Sequence, residues 1–299
     1  MGYSAIDPEQ LRQWLQVPVE ELERHPQAKI RLQILPTPQD VHRHFAQSIF
    51  DEIEQNNRLG RPTRLIVPCG PREPFPILAR MVNEHRLSLR NVHLFHMDEH
   101  LDWQGRPVPL DSPWSFEGWW RRHFYEVVDP ELNVPPSQRH FPSPFDPDAM
   151  SRAIEGVGGV DTAYGGIGFH GHIAYNEPPL AMWPVVTKEM FRRSTTRVVT
   201  LNPDTIISMA QREAGGAVHL VPTMAVTIGM REILGARRIR LYSTTGAWKQ
   251  AALRIALFGP VTVEYPVTFL QEHPDAMIIV DRGTASAPSG LADGPSESR

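Results

Sequence analysis

Three short segments of the sequence concentrate side chains that can move protons or hold anions: residues 96–100 (HMDEH), 166–178 (GIGFHGHIAYNEP) and 243–249 (STTGAWK). In the second segment His170 and His172 flank a glycine, and Glu177 follows five residues after His172. Imidazole and carboxylate groups suit acid–base catalysis near neutral pH, and a glycine-rich turn lets backbone approach a ligand closely. From the residues alone, a surface loop with solvated histidines explains this segment equally well.

The same histidines permit a metal site. His96, Asp98 and His100 alternate along the chain, and convergence with His170 and His172 would give a set of imidazole and carboxylate ligands suited to zinc or iron. The sequence contains no close ligand motif of the H-E-x-x-H kind. Hydrogen-bonded histidines without a metal are therefore the favoured interpretation.

Short apolar runs predict strands buried on both faces at residues 64–69, 91–97, 161–167, 197–201, 238–243 and 276–281. Helical patterns between them cover residues 41–53, 74–87, 113–126, 146–155, 202–213, 222–234, 247–258 and 265–272. This alternation predicts an α/β fold, doubly wound and Rossmann-like, with a mostly parallel sheet and helices on both faces. Ligands bind such sheets at the carboxyl ends of the strands, where the three segments are expected to lie.

Composition argues against several classes of function. The chain has 299 residues, a formal net charge of −4 and one cysteine, Cys69. We expect no nucleic-acid partner, because the basic surface that such binding needs is missing. We expect no membrane partner, because no stretch approaches the roughly 18 apolar residues of a membrane span. The N-terminus lacks the pattern of a secretory signal, and a lone cysteine forms no intrachain disulfide, so a cytoplasmic location is expected.

The chain divides into three parts on composition and pattern. Residues 1–33 are expected to form an N-terminal extension with two short helices, and residues 34–282 to form the α/β domain. Residues 283–299 are small and polar and are expected to be a disordered tail.

Four segments carry a resemblance to a known family. The sequence GIGFHGHIAYNEP resembles the GxGxDGHIAFNEP signature of glucosamine-6-phosphate deaminases, and HMDEH resembles their NMDEY segment. Residues 221–253 are similar to the family's late strand, loop and helix, including its lysine, and FLQEHPDAMIIVD is similar to the family's ending. The four segments lie in order over about residues 34–282, which identifies the chain as a divergent member of this family.

The resemblance implies a chemistry and a set of roles. It implies an aldose–ketose isomerisation coupled to loss of ammonia from carbon 2 of a sugar phosphate, without a cofactor, and it leaves a homo-oligomer open. By motif position, Asp98 matches the base that moves a proton between carbons 1 and 2. His172 matches the histidine that helps to open the sugar ring, and Glu177 matches the carboxylate that supports it. Lys249 matches a phosphate ligand.

The sequence departs from the family pattern at three places that bear on these roles. His170 stands where the family has aspartate, which alters the predicted ring-opening relay, because a second imidazole disfavours a charged His172 and the two rings would titrate together if close. The family's TGGTP phosphate loop reads Cys69-Gly70-Pro71-Arg72-Glu73-Pro74, in which Pro71 lacks an N–H and Arg72 offers a compensating charge. A phosphate-binding arginine of the family aligns with Gln211, next to Arg212. The segment between Glu177 and Arg197, a mobile lid in the family, is longer than usual.

The expected site therefore has a catalytic group, Asp98, His170, His172 and Glu177, and a substrate-binding group, Cys69, Gly70, Pro71, Arg72, Gln211 and Lys249. The expected function is that of an amino-sugar-phosphate isomerase/deaminase, converting glucosamine 6-phosphate to fructose 6-phosphate and ammonia or catalysing a closely related isomerisation. Two alternatives are a 6-phosphogluconolactonase-like hydrolase, which would not need Asp98 as a base at carbon, and a non-catalytic sugar-phosphate sensor. The sequence shows no DNA-binding helix pair that would support a sensor of the regulatory kind.

Overall fold

Strands and helices alternate along the chain of the computed structural model, which describes residues 4–180 and 185–292. The strands of this part of the chain are β1 (Arg31–Leu35), β2 (Thr63–Val67), β3 (Val92–His96), β4 (Asp98–Leu101), β5 (Arg139–His140), β6 (Thr162–Gly166), β7 (Arg197–Thr200), β8 (Met224–Thr227), β9 (Arg238–Ser243) and β10 (Ala276–Asp281). Its α-helices are α1 (Pro8–Gln16), α2 (Val19–Leu22), α3 (Pro38–Arg58), α4 (Pro74–Glu84), α5 (Phe116–Trp120), α6 (Asp148–Gly156), α7 (Lys188–Arg192), α8 (Pro203–Glu213), α9 (Met230–Leu234), α10 (Gln250–Phe258), α11 (Arg282–Ala285) and α12 (Ser289–Ala292).

Seven strands form one parallel sheet in the order β1-β10-β9-β6-β2-β3-β5. The chain winds from β2 through β3 to β5 on one side and from β6 through β9 to β10 on the other. The winding therefore reverses between β2 and β6, which pair with each other. Loops that leave the carboxyl ends of two strands at such a reversal diverge and leave a crevice between them. The predicted doubly wound α/β fold is confirmed.

A smaller antiparallel sheet, β4-β8-β7, adjoins the carboxyl end of β3. Met97 alone separates β3 from β4. The Met97 N–H donates to the carbonyl of Val67 at 3.0 Å, and the Met97 carbonyl accepts from the N–H of Ile228 at 2.8 Å. The chain thus passes from the large sheet into the small sheet at Met97, and Asp98 is the first residue of β4.

The large sheet separates two hydrophobic cores. On β2, Leu65 and Val67 belong to the core that packs against α3 and α4, whereas Ile66 belongs to the core on the opposite face, with α6, α9 and α10. A strand that is apolar on both faces is stable only between two helical layers. This is why the continuous apolar run at residues 65–67 predicts a central strand.

Helix α3 shows how local sequence fixes an element of these layers. The Thr37 hydroxyl accepts from the N–H of Asp40 and the Asp40 carboxylate accepts from the N–H of Thr37, which closes a capping box, and Pro38 occupies the first turn. Phe45 and Ile49, one turn apart, are buried against the sheet. A cap of this kind contributes about 1 kcal/mol, and the buried face contributes the rest of the helix's stability.

The six predicted strands match β2, β3, β6, β7, β9 and β10 to within two residues at each end. The helix predicted at residues 222–234 is wrong in its first half, because residues 224–227 form β8. Its alternating apolar residues fit either structure, and pairing with β4 and β7 decides for a strand. The helix predicted at 113–126 is α5 followed by a π turn at Arg121–Tyr125, and the one predicted at 265–272 is a 3₁₀ helix, Pro266–Glu272.

The termini also differ from expectation. Helices α1 and α2 lie within residues 1–33, but β1 crosses the boundary predicted after residue 33 and pairs with β10. The start of the disordered tail predicted at residue 283 is wrong, because residues 282–285 form α11. The Asp281 carboxylate caps this helix, and Thr284 and Ala285 are buried. Residues 293–299 and the predicted lid residues 182–184 lie outside the described residues. Within the described part of the chain, every helix is too short or too polar to cross a membrane.

Candidate active site

A cavity of about 540 Å³ opens at the carboxyl ends of the parallel strands, at the point where the winding reverses. Its volume lies in the usual range of small-molecule sites. The loops after four strands line it, at residues 69–73, 97–98, 166–169 and 243–245. One face of α8 lines the opposite wall with Thr205, Ser208, Met209, Arg212 and Glu213.

Asp98 lies on the wall of this cavity with a fixed carboxylate. Its Oδ1 accepts hydrogen bonds from the Thr227 hydroxyl at 2.6 Å and from the N–H of Tyr175 at 3.3 Å. No described residue donates to Oδ2. Burial raises the pKa of Asp98 to about 7, against the opposing effect of the Thr227 hydrogen bond. One carboxylate oxygen is therefore held while the other is free to exchange a proton near neutral pH.

His172 lines the cavity, and Glu177 lies behind it. Nδ1 of His172 and Oε1 of Glu177 are 3.7 Å apart, and Oε2 of Glu177 accepts from the N–H of Asn202 at 2.6 Å. Burial lowers the pKa of His172 to about 3, helped by the charges of Lys249 and His170. Burial raises the pKa of Glu177 to about 7. Both pKa shifts favour the uncharged forms, so the His172 imidazole is neutral near pH 7.

Gly168 makes room for the His172 ring. A Cβ at Gly168 would lie 1.8 Å from Nε2 of His172. The N–H of Gly168 donates to the His172 carbonyl at 2.7 Å, and Gly171 turns the chain with φ +66°. The glycines of this segment, expected to let backbone approach a ligand, therefore fold the turn around the imidazole.

His170 is not among the residues that line the cavity. Its Nε2 lies 2.6 Å from Oδ2 of Asp204, in the first turn of α8. The ring is thus directed to the Asp204 carboxylate, outside the relay, and its charge still lowers the pKa of His172, as expected for a neighbouring imidazole.

The cations of the site come from three separate elements. Lys249 is the buried residue directly before α10, in a 3₁₀ turn, and burial lowers its pKa to about 7, with Arg212 acting in the same direction. Arg212 lines the cavity, whereas Gln211 is exposed and does not. Gln211, expected to bind substrate, therefore lies outside the cavity, and its neighbour Arg212 lies on the cavity wall.

The loop that follows β2 places Cys69, Gly70, Pro71 and Arg72 on the cavity wall. The Arg72 guanidinium lies over the rings of Phe116, at 5.3 Å, and Trp119, at 5.7 Å. Its Nε donates to the Cys69 carbonyl at 3.3 Å. The aromatic rings hold the charge near the cavity in place of a backbone donor at Pro71.

The histidines of the HMDEH segment turn to different partners. His96 Nε2 is 2.8 Å from the Tyr125 hydroxyl. His100 lies between the Trp114 carbonyl and the Tyr175 hydroxyl, each at 2.8 Å, and burial lowers its pKa to about 4. In the described part of the chain no group of three or more His, Cys, Asp or Glu side chains is placed to hold a metal ion.

Sequence reasoning missed four residues that fix the site: Thr227, Tyr175, Asn202 and Asp204. Thr227 was placed in a predicted helix, which hid its place opposite Asp98 in the β4–β8 pair. The Asn-Pro-Asp pattern at 202–204 is typical of a helix start and predicts α8. No local pattern indicates which side chains the start of that helix contacts.

Known proteins are similar in sequence to this chain over most of its length. The glucosamine-6-phosphate deaminase of Cronobacter sakazakii is 33% identical over 260 residues, 84% of this chain and 90% of that protein. That of Mycoplasma mycoides subsp. mycoides is 27% identical over 266 residues, 88% of this chain and 99% of that protein. No family model matches the chain.

Solved structures share the fold. A monomeric glucosamine-6-phosphate deaminase superposes with a TM-score of 0.72 at 25% identity, covering 86% of this chain and 99% of its own. The 6-phosphogluconolactonase of Trypanosoma cruzi superposes with a TM-score of 0.61 at 20% identity, covering 88% and 98%. The second likeness concerns the fold alone.

Proposed function

The chain belongs to the glucosamine-6-phosphate deaminase family, and from that premise we propose that it isomerises and deaminates glucosamine 6-phosphate to fructose 6-phosphate and ammonia. The position of Asp98 carries the proposal. A carboxylate with one fixed oxygen, one free oxygen and a pKa raised to about 7 suits removal of a proton from carbon and its return to a neighbouring carbon. A hydrolase acting on a lactone needs no such base.

The sugar ring opens first in the proposed reaction. Nε2 of His172 takes the proton of the C1 hydroxyl, the bond between C1 and the ring oxygen breaks as the C1 carbonyl forms, and the imidazolium gives the same proton to the ring oxygen. Lys249 is one of the charges that lower the pKa of His172. A bound phosphate offsets that charge, so anion binding raises the pKa of His172 and prepares the imidazole to take a proton.

Isomerisation and loss of ammonia follow. Asp98 removes the proton from C2 of the open-chain aldehyde, the C–H electrons form a C1–C2 double bond, and the carbonyl electrons move to the C1 oxygen. Asp98 then returns the proton to C1 while the nitrogen lone pair forms a C2–N double bond, and a proton passes from the nitrogen to the C1 oxygen, which becomes a hydroxyl. Water adds to C2, the C2–N bond breaks, and ammonia and the ketose leave. One water is consumed, and no electrons are transferred to the protein.

The phosphate is assigned to the cations that line the cavity, Lys249, Arg72 and Arg212. A hydrogen bond to a charged group contributes about 1.5–3 kcal/mol, and Lys249 is the most buried of these cations. Arg72 and Arg212 supply the charge that Pro71 and Gln211 do not.

Turnover assays on the purified protein test the proposal. With glucosamine 6-phosphate, ammonia and fructose 6-phosphate are measured in separate assays and are expected in a one-to-one ratio. Unphosphorylated glucosamine and glucose 6-phosphate serve as controls for the phosphate and the amine. In deuterated water, label is expected at C1 of the ketose.

Two results would contradict the assignment. Hydrolysis of 6-phosphogluconolactone without ammonia release from the amino sugar would identify a hydrolase. Binding of glucosamine 6-phosphate by calorimetry without either product would identify a sensor.

A further inference from the structure

The first turn of α8 contacts the relay segment at three points. The N–H of Asn202 donates to Oε2 of Glu177 at 2.6 Å, and the Asn202 side-chain amide donates to the Pro178 carbonyl at 3.0 Å. Two residues later, Oδ2 of Asp204 lies 2.6 Å from Nε2 of His170. Asn202 and Asp204 thus hold residues on both sides of His172.

His170 is the apex of the turn that carries His172. The turn is closed at its base, where the N–H of Gly168 donates to the His172 carbonyl and the N–H of Gly171 donates to the Gly168 carbonyl. Nδ1 of His170 is buried and has no hydrogen-bond partner in the described part of the chain. Asp204 is the partner that the structure gives this imidazole, so the contact fixes the apex of the turn.

We propose that Asp204 is a positioning residue that acts through His170 to hold the turn bearing His172, in place of the aspartate that the family signature has at position 170. The proposal rests on the proposed function for its catalytic consequence. It assigns to α8 a second task, since the same helix presents Arg212 to the cavity. The helix then carries both a cation of the cavity and the contacts to the ring-opening relay.

Asp204 also lies in the first turn of α8, where an acidic residue stabilises a helix by its charge alone. A double-mutant cycle separates this effect from positioning. The four proteins are wild type, Asp204→Asn, His170→Asp and the double variant His170→Asp/Asp204→Asn. If Asp204 acted only through its charge on the helix, Asp204→Asn would lower kcat by the same factor in the wild-type and the His170→Asp proteins.

Positioning predicts a different result. Asp204→Asn is expected to lower kcat about 10- to 100-fold, since a misplacement of about 1 Å costs on the order of 10²-fold, with KM changed less than threefold. His170→Asp alone places a second carboxylate near Asp204. The double variant removes that repulsion and restores the family pattern, so its kcat is expected to exceed that of Asp204→Asn by at least tenfold. Equal costs of Asp204→Asn in the two backgrounds would overturn the proposal.

A second readout needs no turnover. Long-range ¹H–¹⁵N spectra of the histidine rings, with His172 assigned by His172→Gln, report the tautomer and pH response of that ring. Asp204→Asn is expected to change the His172 signals, whereas Asp148→Asn, at the exposed start of α6, is expected to leave them unchanged. Unchanged His172 signals in Asp204→Asn would refute positioning. If wild type releases no ammonia, the proposed function fails while these spectra still decide the role of Asp204.

Discussion

The residues proposed for proton transfer and the cations proposed to bind the anion are held in different ways. Asp98, His172 and Glu177 are each at most 8% exposed. Lys249 is also buried, but the Arg212 side chain is 45% exposed and Arg72 lies over the faces of aromatic rings. Hydrogen bonds from other elements hold the carboxylates of Asp98 and Glu177, whereas Arg72 and Arg212 are long side chains that can adjust. The comparison indicates that the type of reaction is more tightly specified than the anion it acts on.

The strongest test of the residues proposed for proton transfer is Asp98→Asn. The amide cannot accept the C2 proton, so ammonia release and label incorporation are expected to fall by about 10²–10⁴-fold, the usual contribution of a general base. Calorimetric affinity for glucosamine 6-phosphate is expected to stay within a few-fold. Glu155→Gln, on the surface of α6, controls for the loss of a carboxylate. Undiminished exchange at C2 in Asp98→Asn would refute the assigned role.

Gly168→Ala tests the packing around the His172 ring. The added methyl would lie 1.8 Å from Nε2 of His172, so the ring must move. We expect kcat to fall by roughly 10²-fold, as for other displacements of about 1 Å, with an unchanged acidic limb of the pH profile, because Asp98 is untouched. Gly60→Ala, where a Cβ would meet no atom within 4 Å but the backbone has φ +64°, controls for strain alone. Wild-type kcat in Gly168→Ala would show that the position of the ring is unimportant.

The pH profile separates the contribution of the base Asp98 from that of the cation Lys249. As pH falls through the pKa of about 7 of Asp98, the base is protonated and kcat/KM is expected to drop about tenfold per pH unit. As pH rises through the pKa of about 7 of Lys249, the ammonium charge is lost and KM for the phosphorylated sugar is expected to rise. Lys249→Arg keeps its charge and should flatten the alkaline rise in KM. Lys249→Ala should weaken binding by about 1.5–3 kcal/mol, or roughly 10- to 150-fold.

The smallest effect is expected at the exposed cation. Arg212→Gln should raise Kd for glucosamine 6-phosphate less than tenfold, because an exposed ion pair contributes about 0.2–1 kcal/mol. Gln211→Ala, one residue away and outside the cavity, should leave Kd unchanged. A larger effect of Gln211→Ala than of Arg212→Gln would show that Gln211, and not Arg212, binds the anion.

Sequence reasoning gave most of the fold and part of the site. The apolar runs before Cys69, Asp98 and His172 located the strand ends, and parallel winding brings such ends together. The contacts that tune these residues were not accessible, because they join elements distant in the chain. Thr227 lies 129 residues from Asp98, and Asp204 reaches His170 across the start of α8.

The sequence predicted Gln211 in the site, whereas Arg212 lines the cavity. This difference has a geometric reason. Each residue of an α-helix turns the side-chain direction by about 100°. A shift of one position in the alignment therefore separates a side chain that faces the cavity from one that faces solvent. Motif matching places such a residue on the correct helix, and only coordinates select the face.

The passage of the chain between sheets at Met97 has a consequence for cooperativity. Since β4 pairs with β8, and Met97 bonds to both Val67 and Ile228, opening of the β4–β8 pair is expected to move Asp98 away from the large sheet. Asp98 and its backbone are thus expected to belong to the same unfolding unit as β8. Loss of this strand pair and loss of the proposed base are then expected to be one event.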